Sequence, residues 1–257
     1  MEILHHNTFG KGPHQLVILH GFLGMGDNWK THARVWAEKG FQVHLIDQRN
    51  HGRSFWSAEF NYELMAEDLL RWMDHHKVDK ATLLGHSMGG KTAMTFASKY
   101  PERLEKLIVA DISPRAYPPH HQQILSSLSA LDFQKITSRK AAEEALSHTL
   151  KEASLRQFLL KNLFWKAPNQ LGLRINIDVL KNMEMVIGTP LDSDAYCTLP
   201  TLFLAGGNSN YILPEDQLLI KKHFPKAQIE TISHAGHWLH AENPTAFSAA
   251  FLRFLDI

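Results

Sequence analysis

A serine flanked by glycines is the first feature of the sequence that could do chemistry. The segment from Gly85 to Gly90 reads Gly-His-Ser-Met-Gly-Gly, after the apolar run 81–84 and before a stretch with helical spacing. Glycines permit the sharp strand-to-helix turn that this order of elements requires. Such a turn lifts the Ser87 hydroxyl above the edge of a sheet, so the segment predicts that Ser87 is a nucleophile.

A serine hydroxyl is a poor nucleophile near neutral pH and needs a base that takes its proton. The late segment from His234 to His240 reads His-Ala-Gly-His-Trp-Leu-His and follows an apolar run. Its middle histidine, His237, lies between a glycine and a helix start at Asn243-Pro244. We therefore predict that His237 is the general base, with the two flanking histidines in supporting or surface positions.

Attack on a carbonyl creates an oxyanion, which backbone N–H groups can stabilise. Met88 is expected at the N-terminus of a helix, where N–H groups are unpaired. Phe22 lies in the segment His-Gly-Phe-Leu-Gly that follows a buried run ending at Leu19. The amides of Phe22 and Met88 are the predicted oxyanion hole, and a plain glycine turn is the alternative interpretation of the segment around Phe22.

The third group of such a site is a carboxylate that orients the imidazole. Its usual position is the loop 206–211, which reads Gly-Gly-Asn-Ser-Asn-Tyr and contains no acid. Asp111 directly follows the apolar run 106–110, so it should emerge at the carboxyl edge of the sheet near Ser87. The sequence favours Asp111 as the acid, with Asp216 as the alternative.

Short apolar runs that alternate with helical stretches must position these groups. Continuous runs without polar alternation are typical of parallel strands covered on both faces. The pattern predicts a doubly wound α/β fold with a mostly parallel sheet and helices on both faces. The expected strands are Gln15–His20, Gln42–Asp47, Ala81–Gly85, Lys106–Ala110, Thr201–Ala205 and Gln228–Ile232.

The alternation stops over residues 113–199, which carry helical patterns at 121–131, 139–151, 154–164 and 177–187. We expect core segments at 1–112 and 200–257 and a helical cap insertion at 113–199, because ligands bind at the carboxyl ends of parallel strands. Surplus helices packed elsewhere are the alternative. Leu23, Trp165 and Trp238 are the expected substrate-binding residues, although aromatic residues at such spacing are more often core.

A basic and polar trio, Arg49, Asn50 and His51, follows the second core strand. These residues could contact an anionic substrate, or they could form a buried turn tied by side-chain hydrogen bonds. We favour the turn, because Asn and Gly are ordinary turn formers.

Composition narrows the classes of partner. The 27 Lys and Arg residues nearly balance the 26 Asp and Glu residues, so no strong field favours nucleic acid. A single cysteine excludes an intramolecular disulfide, and no cluster has the spacing of a zinc site. With no leader-like segment and no membrane span evident, we expect a cytoplasmic protein without a metal that binds a small molecule, either as a monomer or as a homodimer.

Several segments together resemble one group of the α/β-hydrolases, the YbfF-type esterases and the abhydrolase-domain-containing protein 11 group. The resemblance spans nearly the whole chain, and its more specific parts are the Arg-Asn-His-Gly-Arg-Ser stretch and Asp-Ile-Ser-Pro. It covers the segments 20–24, 47–54, 85–94, 111–114, 174–177 and 236–238.

The resemblance implies an α/β-hydrolase fold and a serine esterase that needs no cofactor. Its substrates would be short- to medium-chain acyl esters, with acyl-CoA thioesters open as a further class. The same scaffold supports C–C bond hydrolysis, lyase and perhydrolase chemistry, and a small-molecule receptor that retains the site is an alternative of another class. A receptor would show slow turnover and a cap that rearranges with ligand.

Overall fold

A mostly parallel sheet organises the chain in the computed structural model, which describes residues 2–257. Seven strands form this sheet in the order β1-β3-β2-β4-β5-β8-β9, and two more form a separate hairpin. The strands are β1 (His6–Phe9), β2 (His14–Leu19), β3 (Phe41–Ile46), β4 (Ala81–His86), β5 (Leu104–Ala110), β6 (Leu163–Ala167), β7 (Gln170–Leu173), β8 (Thr201–Gly206) and β9 (Ala227–Ile232). Only β1 runs antiparallel to its neighbour in the large sheet.

Helices connect the strands and cover both faces of the sheet. They are α1 (Lys30–Ala37), α2 (Tyr62–His75), α3 (Met88–Lys99), α4 (Gln122–Ser129), α5 (Arg139–Ser147), α6 (Ala153–Leu160), α7 (Ile177–Leu180), α8 (Glu184–Ile187), α9 (Asp216–His223), α10 (Leu239–Glu242) and α11 (Pro244–Phe254). None of the helices within residues 2–257 combines the length and apolar character that crossing a bilayer requires.

Two apolar clusters hold the helices against the sheet. One lies under α2 and α3 and includes Trp72 and Phe96, and the other lies under α1 and α11 and includes Trp36 and Phe251. Burial of each such side chain stabilises the fold by about 1.5–3 kcal/mol. Because both faces are covered, the central strands β2, β4, β5 and β8 carry continuous apolar runs. The six expected strands fall within two residues of observed ones.

A third cluster lies between the sheet and the segment that connects β5 to β8. It joins Phe22, Met65 and Met88 of the core to leucines of α4, α5 and α6, including Leu125 and Leu146. The connecting segment therefore packs over the carboxyl end of the sheet, beside Ser87.

A buried lysine ties the two ends of this segment to the core. The Lys91 ammonium donates hydrogen bonds to the carbonyl oxygens of Pro114, Arg115 and Thr189 at 3.1, 2.6 and 2.9 Å. Burial, together with the Arg115 guanidinium, lowers the pKa of Lys91 to about 7. Residues 114–115 and 189, where the insertion leaves and rejoins the core, form its stem. The stem is thus tied to α3 through Lys91.

The structure corrects two expectations for this segment. Helices are most of its regular secondary structure, but residues 163–173 form the β6–β7 hairpin, so the helix expected at 154–164 ends at Leu160. The single helix expected at 177–187 is two short helices, α7 and α8, separated by turn residues. The edge strand β1 was also missed by the sequence interpretation.

Candidate active site

Ser87 lies at the turn between β4 and α3 in a strained backbone conformation. Its φ and ψ are 52° and −118°, outside the regions that side-chain-bearing residues favour. Such a conformation costs on the order of 1–3 kcal/mol and persists only where the surroundings hold it. Here the Ser87 N–H donates to Ala110 O at 3.0 Å, and the Ser87 carbonyl accepts from Gly90 N at 2.8 Å.

Glycines make this turn possible by allowing close backbone approach. A Cβ at Gly85 would lie 2.1 Å from the Gly89 carbonyl oxygen, and a Cβ at Gly89 would lie 2.4 Å from the Leu19 carbonyl oxygen. No side chain fits at either place. The turn is therefore packed directly against the carboxyl end of β2, from which the loop containing Phe22 begins.

Three side chains form a continuous series of hydrogen bonds at this edge of the sheet. The Ser87 hydroxyl lies 3.0 Å from His237 Nε2, and His237 Nδ1 lies 2.8 Å from Asp111 Oδ2. A carboxylate beside Nδ1 favours the tautomer that carries its proton there, which leaves Nε2 free to accept from Ser87. The structure brings together the three residues that the sequence interpretation grouped.

Asp111 is completely buried, and its carboxylate is held by two further donors. The Gly206 N–H donates to Oδ1 at 2.8 Å, and the Ser209 hydroxyl donates to Oδ2. Ser209 lies in the loop 206–211, the usual position of the acid, which contains no carboxylate in this chain. Sequence reasoning missed Ser209, although its position in that loop was the available signal.

Asp216, the alternative acid, contacts a different part of the molecule. Its carboxylate lies 3.2 Å from the Arg115 guanidinium and accepts from Leu213 N at 2.8 Å. Through these contacts, Asp216 joins the stem of the insertion to the start of α9. The structure gives it no contact with His237.

The loop that carries His237 is fixed by its neighbours. The His86 ring donates from Nε2 to the His237 carbonyl oxygen at 2.8 Å. The Glu242 carboxylate accepts from Gly236 N at 2.7 Å and from Trp238 N at 3.2 Å. The imidazole is thus carried on a restrained backbone.

The predicted oxyanion hole lies beside Ser87. A Cβ at Gly21 would be only 3.3 Å from Ser87 Cβ, so the loop containing Phe22 passes directly over the turn. Within residues 2–257 the N–H groups of Phe22 and Met88 donate to no protein acceptor, whereas the neighbouring Leu23 N–H donates to His51 Nε2 at 3.2 Å. Both amides are free to bind an oxygen of a ligand.

The trio at 49–51 is a buried turn, as favoured from the sequence. Arg49 pairs with the Asp68 carboxylate at 2.6 and 2.9 Å. Asn50 donates to Ser57 O at 2.9 Å, and His51 donates from Nδ1 to Arg49 O at 2.9 Å. With exposed fractions of 4%, 0% and 0%, these side chains present no group to an anionic substrate.

A cavity of about 580 Å³ opens above Ser87. That volume lies within the usual range for small-molecule sites. Its walls come from both the core and the insertion, and include Phe22, Leu23, Ile124, Leu155, Phe158 and Trp238. Within residues 2–257, no group of three or more His, Cys, Asp or Glu side chains is arranged to hold a metal ion.

Two of the three expected substrate-binding residues, Leu23 and Trp238, line this cavity. Trp165, the third, does not line it. It lies on β6 with its side chain 51% exposed, facing solvent, and it is not part of the cavity wall. The physical reason is the missed hairpin, which places this side chain in solvent on β6.

Buried histidines surround the site and should make the protein sensitive to acid. Burial lowers the pKa values of His51 and His86 to about 3, and also lowers those of His20 and His240. The unfolded chain takes up protons below about pH 6.5, whereas these folded-state rings stay neutral. The contribution of these neutral rings to stability is therefore full well above pH 6.5 and is lost as the pH falls, by about 2 kcal/mol at pH 5 for each of His51 and His86.

Urea unfolding at pH 7.5, 6.5, 5.5 and 5.0 measures this loss. We expect the free energy of unfolding to fall steeply over this range. The variant His75→Gln is the control, because His75 is exposed and its loss should leave the slope unchanged. A free energy of unfolding that stays constant from pH 7.5 to pH 5.0 would contradict the prediction.

Comparison with known proteins gives the class to which this chain belongs. The sequence profile of the alpha/beta hydrolase fold family matches residues 15–244, and the chain belongs to this family. It is 38% identical to the sn-1-specific diacylglycerol lipase ABHD11 of Mus musculus, over 93% of this chain and 80% of that protein. It is 34% identical to the esterase YbfF of Escherichia coli, over 94% of this chain and 92% of that protein.

A solved structure gives the same relationship. A marine microorganism esterase superimposes with a TM-score of 0.95 at 40% identity, over 99% of this chain and 100% of that one. The relatives fall in the group that the sequence motifs resemble, so the resemblance stated from the sequence is confirmed.

Proposed function

We propose that this protein is a serine ester hydrolase that works through an acyl-enzyme on Ser87. The observation that carries the proposal is the unbroken series of hydrogen bonds from Ser87 through His237 to Asp111, which opens into a largely apolar cavity. The names of its relatives, esterase and lipase, support the same reaction class.

In the first half of the reaction, the Ser87 oxygen attacks the ester carbonyl while its proton passes to His237 Nε2. The amides of Phe22 and Met88 donate to the oxyanion that forms. Asp111 keeps the His237 ring in place and stabilises the imidazolium. His237 then gives the proton to the departing alcohol, which leaves the acyl group bonded to Ser87.

In the second half, water replaces the alcohol. His237 takes a proton from this water, whose oxygen attacks the acyl carbonyl, and the same two amides hold the second oxyanion. When that intermediate collapses, the proton returns to the Ser87 oxygen and the carboxylic acid is released.

The cavity walls favour neutral esters. Lys161 and Glu242 are the charged residues that line it, apart from histidines, and they bring opposite signs. The apolar side chains of α4 and α6 suit an acyl chain, with about 0.8 kcal/mol gained for each buried methylene. A thioester carbonyl fits the same chemistry, but the phosphates of a CoA group would find little positive charge in this cavity.

Labelling with a fluorophosphonate, followed by a panel of nitrophenyl and CoA esters of rising chain length, tests the proposal. We expect covalent labelling of Ser87 and faster hydrolysis of the nitrophenyl esters than of the CoA esters. A folded protein that neither labels nor hydrolyses any member of the panel would overturn it.

The insertion should set the preference for acyl chains. Phe158 lines the cavity and packs against Trp238 with ring centroids 5.6 Å apart. Phe158→Ala should lower kcat/KM for nitrophenyl octanoate roughly tenfold relative to acetate, because apolar contacts with the longer chain are lost. The rate of labelling by a small fluorophosphonate should stay within about twofold.

Trp165→Ala is the matched control for this variant, since it also removes an aromatic side chain from the insertion but lies outside the cavity. Its profile of acyl preference should equal that of the wild type. A profile that changes with Trp165 and not with Phe158 would place the acyl chain elsewhere.

A further inference from the structure

One face of the His237 imidazole is covered by a tyrosine ring. Tyr211 stacks on His237 with ring centroids 3.9 Å apart and planes inclined by 18°. The two nitrogens of His237 already face Ser87 and Asp111, and the His86 ring lies 4.8 Å away. The imidazole cannot turn about its bond to Cβ without displacing the ring of Tyr211.

Tyr211 is itself fixed at three points. Its N–H donates to Ser209 Oγ at 3.2 Å, and its carbonyl oxygen accepts from the Tyr117 hydroxyl. His120 donates from Nδ1 to Pro118 O at 2.9 Å, so its Nε2 is an acceptor, and the Tyr211 hydroxyl donates to it. The ring is thus held by the loop after β8 and by the start of the insertion.

The contact acts differently on the two charge states of His237. The face of an aromatic ring carries negative potential and attracts a cation placed over it. His237 becomes a cation only after it takes the proton of Ser87. Interactions that are stronger in the transition state than in the resting enzyme raise kcat. Burial raises the pKa of Tyr211 to about 12, so the phenol stays neutral and keeps its hydrogen bond to His120.

We propose that Tyr211 is a positioning residue for His237, whose ring fixes the plane of the imidazole and stabilises the imidazolium during proton transfer. The inference rests on the proposed ester hydrolysis. Tyr211 also lines the cavity, but in this role its ring acts on His237 and not on the substrate.

Two substitutions separate the ring from the hydroxyl. Tyr211→Leu removes the aromatic face, and we expect kcat for nitrophenyl acetate to fall roughly tenfold with KM within about twofold. The acidic limb of the kcat/KM profile should move to lower pH by up to about one unit, because the imidazolium has lost a favourable contact. Tyr211→Phe keeps the face and should recover kcat to within about twofold of the wild type.

Fluorophosphonate labelling of Ser87 is measured beside these assays, and Tyr211→Met serves if the leucine variant does not fold. Tyr196→Leu is the matched control, since Tyr196 is 58% exposed and should leave every parameter unchanged. A rise in KM with kcat and the acidic limb unchanged would make Tyr211 a substrate contact and overturn this role alone. A wild type that neither labels nor hydrolyses esters would overturn the proposed function, and the role of Tyr211 with it.

Discussion

Ser87→Ala should abolish ester hydrolysis while the protein stays folded. The hydroxyl lies 3.0 Å from His237 Nε2 at the floor of the cavity, and its removal leaves this nitrogen without a hydroxyl partner among residues 2–257. The loss should approach the roughly 10⁶-fold scale that removal of the nucleophile causes in a serine protease. Steady-state hydrolysis of nitrophenyl acetate, with circular dichroism as the check on folding, measures it.

Ser126→Ala is the control for this variant. Ser126 is exposed on α4, and its hydroxyl donates only to the carbonyl oxygen of Gln123 within its own helix, so activity should not change. A folded Ser87→Ala protein that keeps a tenth of the wild-type rate would show that another residue is the nucleophile.

The position of Ser87 could be predicted because its reasons are local. Glycine is required at 85 and 89 because a Cβ there would lie 2.1 and 2.4 Å from backbone oxygens, so any chain with this turn must leave that space open. A strand before and a helix after are visible in the sequence as changes of hydrophobic period. The same holds for the buried runs of β2, β4 and β8, which are covered on both faces.

The sequence did not predict β1 or the β6–β7 hairpin, because these strands are short and contain polar residues that interrupt the apolar pattern of a strand. β1 reads His-Asn-Thr-Phe, and as an edge strand it pairs only with β3, so most of its side chains are half-buried. In the hairpin, Asn169 has a φ of 59°, and the Pro168-Asn169 turn was a usable signal. The strands on either side have five and four residues, too few to show a period of two, so the sequence does not mark where the helical spacing of α6 ends.

The surroundings of His237 depend on contacts between distant segments. Ser209 meets Asp111 because β8 lies beside β5, an order that no local pattern shows. Tyr211 reaches His237 only through the path of the loop after β8. Trp165 is the opposite case. It lies in the expected segment, but its side chain faces solvent and does not reach the cavity.

Asp111→Asn should lower turnover by roughly 10⁴-fold, the loss caused by the same substitution in a serine protease. The amide cannot accept the His237 Nδ1 proton as a carboxylate does, and it can favour the tautomer that points a proton at Ser87. Asp216→Asn is the matched control, because this carboxylate is also buried, at 4% exposed, but contacts Arg115. Asp216→Asn should lower the melting temperature and leave turnover nearly unchanged. If Asp216→Asn instead removed activity and folded Asp111→Asn kept it, the hydrogen bond of 2.8 Å between Asp111 and His237 would be structural, and the acid of the site would have to be sought again.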